Sequence, residues 1–277
     1  KAIFMAHTLG NPFDAIKIKK FAEENNLWLI EDNCDALGSK IDNIFTGTIG
    51  DISTLSFYPA HHITMGEGGA ILTNSTKLKL EIDSFRDWGR DCWCKSGHDN
   101  TCNKRFDWQL GDLPYGYDHK FTYSNIGYNL KATDLQASIG VAQLDKLENF
   151  IKIRKENWEK INEFITKYED YFVPHSAEKN TEPSWFGYAI SIKEEAPFKR
   201  DELVKYLNEN RIATRLMFGG NLVKQPAYKN KDFKTIGPLI NADFVMRNTF
   251  WIGVYPGIND EMLDYLFSKI DNYLNGF

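Results

Sequence analysis

The sequence predicts an α/β protein: a mainly parallel sheet wound with helices, followed by a smaller α+β region. Three observations carry this. Short apolar runs at residues 3–6, 27–30 and 52–55 read as buried strands. Between the first two, residues 14–25 set Ala15, Ile18, Phe21 and Ala22 at helical spacing. Beyond a strongly helical stretch at 132–168, strand and helix patterns continue to the end of the chain. Strands alternating with helices give parallel sheets, and such sheets hold ligands at the carboxyl ends of their strands.

The remaining elements follow in order. Thr8-Leu9-Gly10-Asn11-Pro12 is a turn, 52–57 a strand and 76–88 a helix. Residues 89–128 form a long segment rich in Gly, Pro and Asp that also holds Trp108, Tyr115, Tyr117 and Tyr123. A segment of that length inside a compact domain is usually functional, and its aromatic content argues against simple disorder. Residues 132–168 read as two helices or one long bent helix, with the domain boundary inside them, giving 1–150 and 151–277. The second part is expected to contain strands at 185–192, 213–217 and 249–254 and a helix at 200–210. It closes on an amphipathic helix at 260–275, with Met262, Leu263, Leu266, Ile270 and Leu274 inward.

The 277 residues suffice for a large core, and 42% hydrophobic with 26% charged content is ordinary for a soluble globular protein. A net charge of −5 with both signs mixed argues against nucleic acid or an anionic membrane as main partner. No apolar run reaches membrane-spanning length and no signal-peptide pattern opens the chain, so a cytoplasmic location is expected.

Chemistry concentrates in two places. Glu31-Asp32-Asn33-Cys34 ends the second apolar run. Residues 56–69, Ser-Phe-Tyr-Pro-Ala-His-His-Ile-Thr-Met-Gly-Glu-Gly-Gly, join two strands predicted to be buried, and their three glycines permit a tight backbone path beside a ligand. Together these segments resemble the sugar aminotransferases of the DegT/DnrJ/EryC1/StrS family, which use pyridoxal phosphate (PLP). The resemblance implies an aspartate-aminotransferase-like large domain with a smaller α+β domain after it. In that family the residue five after the serine is the lysine that holds the cofactor. Here it is His61, and no lysine occurs from Ile41 to Thr76.

A histidine has no primary amine to hold the cofactor covalently, but it moves protons near neutral pH. The substitution resembles the family's dehydratases, which remove the 3-hydroxyl of nucleotide-linked 4-keto-6-deoxy sugars with pyridoxamine phosphate (PMP). The register from Ser56 selects His61 over His62 as the base. By the same resemblance Asp32 pairs with the cofactor's ring nitrogen and Ser56 contacts its phosphate, with Tyr58 close by. Asn129, in Gly127-Tyr128-Asn129, reaches the phosphate of a neighbouring subunit, which implies a homodimer. Arg215 is expected near the substrate. Each also has a plainer reading: Asp32 and Asn129 as helix caps, Ser56 as an ordinary loop hydroxyl, Arg215 as a surface cation.

Four cysteines follow the pattern Cys34-x57-Cys92-x-Cys94-x7-Cys102. Four thiolates hold zinc or a [2Fe–2S] cluster equally well, and spacing alone does not choose. The resemblance does: family dehydratases acting on CDP-4-keto-6-deoxyglucose carry this arrangement for a [2Fe–2S] cluster, fed by an NADH-dependent flavin iron–sulfur reductase. The expected function is therefore 3-dehydration of that sugar in 3,6-dideoxysugar (lipopolysaccharide O-antigen) biosynthesis. Two rivals stand beside it, a cluster-free dehydratase of the GDP-4-keto-6-deoxymannose type and a catalytically silent scaffold with the same fold. Family chains carry a segment before the point matching Lys1, so this chain reads as a fragment or a shorter form.

Overall fold

The computed structural model describes residues 1–95 and 97–277. The chain begins on strand β1 (Ala2–Ala6) and runs through helix α1 (Ala15–Glu24) to β2 (Trp28–Asp32). The Asp14 side chain accepts the Lys17 N–H and starts α1 at its N-cap. Strands β3 (Lys40–Ile41) and β4 (Ile44–Phe45) form a short hairpin before β5 (Ile52–Ser56) and β6 (Gly69–Leu72).

The first sheet has the order β1-β2-β5-β6. Its first three strands are parallel, as expected, but β6 pairs antiparallel with β5. The sheet is thus mixed, because residues 57–68 return the chain directly instead of crossing over through a helix. Nor is β6 a buried strand, since Ile71 and Leu72 are exposed on it. On α1 the expected inward face also narrows: Ala15 and Ala22 are buried and Phe21 is half exposed.

Helix α2 (Thr76–Arg86) is capped by Ser75, and residues 89–128 then carry a 3₁₀ turn at His119–Phe121. The helical stretch resolves into two helices, α3 (Asp134–Leu144) and α4 (Leu147–Ile165). A Thr133/Gln136 capping box opens α3, so the cap expected from Asn129 is supplied by Thr133. The 150/151 boundary falls inside the first turns of α4.

After short strands β7 (Phe172–Val173) and β8 (Thr181–Glu182) come β9 (Gly187–Ile192), α5 (Arg200–Glu209), β10 (Thr214–Leu216), α6 (Ile240–Asn248), β11 (Thr249–Gly253) and α7 (Asp260–Leu274). The second sheet has the order β10-β11-β9-β7, all antiparallel. Its core joins Trp158 and Ile161 of α4 to Tyr188 and Ile190 of β9, Phe250 of β11, Leu203 of α5 and Ile270 of α7. Trp158 stacks on Trp185 with centroids 4.1 Å apart. On α7, Leu263, Leu266, Ile270 and Leu274 turn inward, while Met262 is exposed. Strand β8 pairs with β3, so residues late in the chain fasten onto the early hairpin. Among the described residues no helix is long and apolar enough to cross a membrane.

Candidate active site

Asp32 closes β2 at the carboxyl edge of the parallel strands, and its neighbour Glu31 fixes that edge. The Glu31 side chain is fully buried, 2.9 Å from His7 Nε2 on β1's exit. It also accepts the N–H groups of Gly47, Ile49 and Gly50. Burial alone would raise the Glu31 carboxyl; these hydrogen bonds and His7 win and hold it below the usual range. Asp32 Oδ1 in turn accepts the Cys34 N–H at 3.1 Å and the Thr54 hydroxyl at 3.4 Å. Thr54 lies directly opposite Asp32 in the β2–β5 register.

The loop after β5 brings His61 to this edge. The Met65 N–H bonds to the Phe57 carbonyl and the Thr64 hydroxyl bonds there too, closing the loop on itself. The His61 ring meets the backbone of Cys34 and the charge of Asp32, and its Nδ1 lies 3.6 Å from Asp35 Oδ1. Phe186, just before β9, tilts over the same ring at a centroid distance of 5.1 Å. Burial lowers the His61 pKa, so the ring is neutral and able to accept a proton at neutral pH. Burial pushes the Asp35 carboxyl the other way, up to about 6.

His62 is a structural neighbour. It is wholly buried, with Nε2 3.0 Å from the Ser184 carbonyl. Burial drives its pKa down to about 3, which suits a permanently neutral ring. The register-based choice of His61 thus coincides with the half-buried ring, and His62 with a clamp on the segment leading into β9.

The other expected site residues distribute unevenly. Ser56 ends β5 with its Oγ 3.3 Å from the Tyr58 N–H, and Tyr58 itself is exposed. Asn129 is exposed, bridged to Asp87 and accepting from Lys131 Nζ at 2.9 Å. Arg215 is exposed on β10, where its Nη1 donates to the Thr214 carbonyl. Among the described residues, no hydrogen bond or ion pair joins Asn129 or Arg215 to the His61 group.

The cysteines separate into three and one. Cys92, Cys94 and Cys102 line one small cavity with Arg105, His119 and Lys120. The Thr101 hydroxyl donates to Cys94 Sγ at 3.0 Å and lowers that thiol's pKa. Cys34 does not line that cavity; it is held in the turn after β2, 3.7 Å from the Thr54 hydroxyl. Burial, reinforced by Asp32, pushes its thiol up to about 12. Among the described residues, no group of three or more His, Cys, Asp or Glu stands in metal-holding geometry. Cys34, held beside Asp32 by the turn after β2, lies outside the cavity that the other three cysteines line.

Three participants escaped the sequence reading. Asp35 lies three residues beyond Asp32, and that spacing within one turn was a usable signal. Arg154 is brought in by α4 and Phe186 by the residues just before β9, and nothing local in the sequence marks them.

The model of the DegT/DnrJ/EryC1/StrS aminotransferase family matches residues 1–271. A lipopolysaccharide biosynthesis protein of Salmonella typhimurium is 53% identical over 273 residues, covering 99% of this chain and 62% of that protein. A dTDP-4-dehydro-2,6-dideoxy-D-glucose 3-dehydratase of Saccharopolyspora spinosa is 51% identical over 274 residues, covering 99% of this chain and 59% of that enzyme. The chain thus spans about three fifths of the length of these curated relatives. A solved GDP-4-keto-6-deoxymannose-3-dehydratase with bound GDP-perosamine superposes with a TM-score of 0.81 at 28% identity, over 98% of this chain and 67% of that one. An aminotransferase from Psychrobacter cryohalolentis, at 21% identity and a TM-score of 0.84 over 100% of this chain and 69% of its own, shares the fold.

Proposed function

Because the chain belongs to the DegT/DnrJ/EryC1/StrS aminotransferase family, we propose that it carries the proton-transfer machinery of a PMP-dependent 3-dehydratase. The substrate class is a nucleotide-linked 4-keto-6-deoxy sugar. One observation carries the reading: five residues after Ser56 stands His61, beside the Asp32 edge, with no lysine between Ile41 and Thr76. The residues fit PMP. Asp32 offers a carboxylate at a strand end, Ser56 and Thr54 offer hydroxyls, and the half-buried His61 ring stands beside them with its Nδ1 turned to Asp35.

PMP, when bound, supplies an amine for the sugar ketone and an electron-withdrawing ring. Asp32 would hold the ring nitrogen and Ser56 would donate to the phosphate. His61, its pKa lowered by burial, would serve as the base for the methylene proton beside the amine. Its Nδ1 faces Asp35, so Nε2 is the nitrogen assigned to that transfer. The ring of Phe186 covers His61 and keeps water from its flank.

The cysteine spacing supports the narrower reading, a CDP-4-keto-6-deoxyglucose 3-dehydrase with a [2Fe–2S] cluster and an NADH-dependent reductase as partner. The likeness to a solved GDP-4-keto-6-deoxymannose-3-dehydratase supports a second reading, a dehydratase without a cluster. Two measurements decide. Solvent exchange of the PMP methylene proton with a nucleotide-linked keto sugar present, seen in the wild type and lost in His61→Asn, tests the dehydratase reading; exchange that survives the substitution overturns it. Iron analysis of protein purified without oxygen separates the two cofactor readings.

A further inference from the structure

Buried polar atoms without partners are few in native proteins and call for a reason. Here several crowd around His61: among the described residues His61 Nδ1, His62 Nδ1, Arg154 Nε and Ser184 Oγ lack hydrogen-bond partners. Arg154 stands out among them. It projects from α4, is only 3% exposed, and has no carboxylate within ion-pair distance among the described residues. Burying a guanidinium is costly unless something nearby needs it.

Two things do. Arg154 Nη1 donates to the carbonyls of Trp185 and Phe186, both at 3.3 Å. Its charge also acts on Asp35, partly offsetting the burial that raises that carboxyl. From these two points the contacts close into a circuit. The Phe186 N–H donates to the Leu9 carbonyl at 2.9 Å, and the Leu9 N–H donates to Asp35 Oδ2 at 3.3 Å. Asp35 Oδ1 meets His61 Nδ1, and the His61 ring meets that of Phe186. Leu9 turns the circuit's corner with φ of 53°, a left-handed conformation that is strained for a non-glycine residue and persists only where its surroundings impose it.

We propose that Arg154 is a positioning residue for His61, holding Asp35 on one side of the ring and Phe186 on the other. The guanidinium fixes Phe186 through its carbonyl, and the Phe186–Leu9–Asp35 hydrogen bonds pass that placement to the carboxylate, so His61 keeps one rotamer and one tautomer, with hydrogen on Nδ1 facing Asp35. The inference rests on His61 being the base, as proposed above, but the ring signals in its test are read without bound cofactor.

The full chain is labelled with ¹⁵N-histidine, and the His61 ring signals are identified by their loss in His61→Asn. Three variants are compared with the wild type: Arg154→Lys, Asp35→Asn, and the doubly neutral Arg154→Met/Asp35→Asn, which strands no buried charge. The wild-type ring shows a single Nδ1–H tautomer. In the double variant it becomes a mixture, and the rate of PMP methylene exchange at saturation falls at least tenfold while the PMP dissociation constant stays within twofold. Arg154→Lys keeps the charge but loses the planar donor head and falls between. Unchanged His61 signals in the folded variants overturn the proposal, as does a loss confined to PMP affinity. Should both Arg154 variants fail to fold, Asp35→Asn alone decides, and an unaltered His61 tautomer there overturns it too. A wild type that binds no PMP sinks the proposed function yet leaves the ring signals readable.

Discussion

His61 Nδ1 and Asp35 Oδ1 lie 3.6 Å apart across the loops that follow two adjacent parallel strands. The distance is long for a finished hydrogen bond and short enough to orient the ring. One loop supplies the base and the other the carboxylates, so the register of β2 against β5 sets the geometry of the pair. His61→Asn keeps a polar side chain of related size but cannot act as a base. Methylene exchange should drop by 10²–10⁴-fold, the usual worth of general base catalysis, with PMP binding retained within a few fold. His61→Lys restores an amine at the family's lysine position. Incubated with PLP and borohydride, that variant should gain a stable covalent adduct detectable by mass spectrometry. An absent adduct would show that residue 61 does not face the cofactor.

The thiols should react in a fixed order. Cys94 and Cys34 are both half-buried, but the Thr101 hydroxyl lowers the pKa of Cys94, whereas Cys34 is raised to about 12 by burial and by Asp32. Thiolate is the reactive form, so at pH 7.5 iodoacetamide should label Cys94 well before Cys34. Peptide mapping over a time course reads this directly. Equal rates at the two sites would mean that the turn after β2 does not shelter Cys34.

Much of this was legible in the chain. The apolar runs gave β1, β2 and β5, and the Ser56-to-His61 register found the ring at the Asp32 edge, because both signals are local. What failed was long-range or cooperative. The hairpin strands β3 and β4 are two residues each, too short for periodicity, and β8 forms only by pairing back to β3. The antiparallel turn of β6 is decided by how the 57–68 loop folds onto Phe57, not by the composition of β6. Helix α6 carries no buried residue, so no apolar stripe announced it. Arg154 and Phe186 reach His61 from more than 90 residues away, a distance that motif spacing within one segment does not express.

Gly10 is the point where the turn after β1 passes the segment entering β9. Its φ is +89°, and a Cβ there would stand 2.1 Å from the Ser184 carbonyl oxygen. That carbonyl is the acceptor for His62. Gly10→Ala therefore combines left-handed strain, about 1–2 kcal/mol by itself, with a backbone clash that no rotamer relieves. Thermal or urea denaturation should show a loss exceeding that figure. Gly66→Ala supplies the control, because its φ of +80° faces open space and only the strain applies.

The buried His62 should leave a signature in acid. Burial, with help from the Arg154 charge, lowers its folded pKa to about 3, against about 6.5 for an unfolded histidine. Between those values the unfolded chain binds a proton that the folded chain refuses, so stability falls as pH drops, by about 1.4 kcal/mol per pH unit. Asp35 acts oppositely. Its folded carboxyl titrates at about 6 and its unfolded one near 3.9, so between those values the folded chain binds the extra proton. From about pH 6 down to 4 the two contributions nearly cancel, and the wild-type curve alone hides both. The difference between wild type and His62→Gln exposes the histidine. Glutamine keeps a donor for the Ser184 carbonyl but does not titrate, so the stability gap between the two proteins should shrink steadily from pH 6.5 toward pH 4. Urea titrations at half-unit steps would measure it. A gap constant across that range would mean that His62 is protonated in the folded protein, and that the clamp on Ser184 is an imidazolium, not a neutral ring.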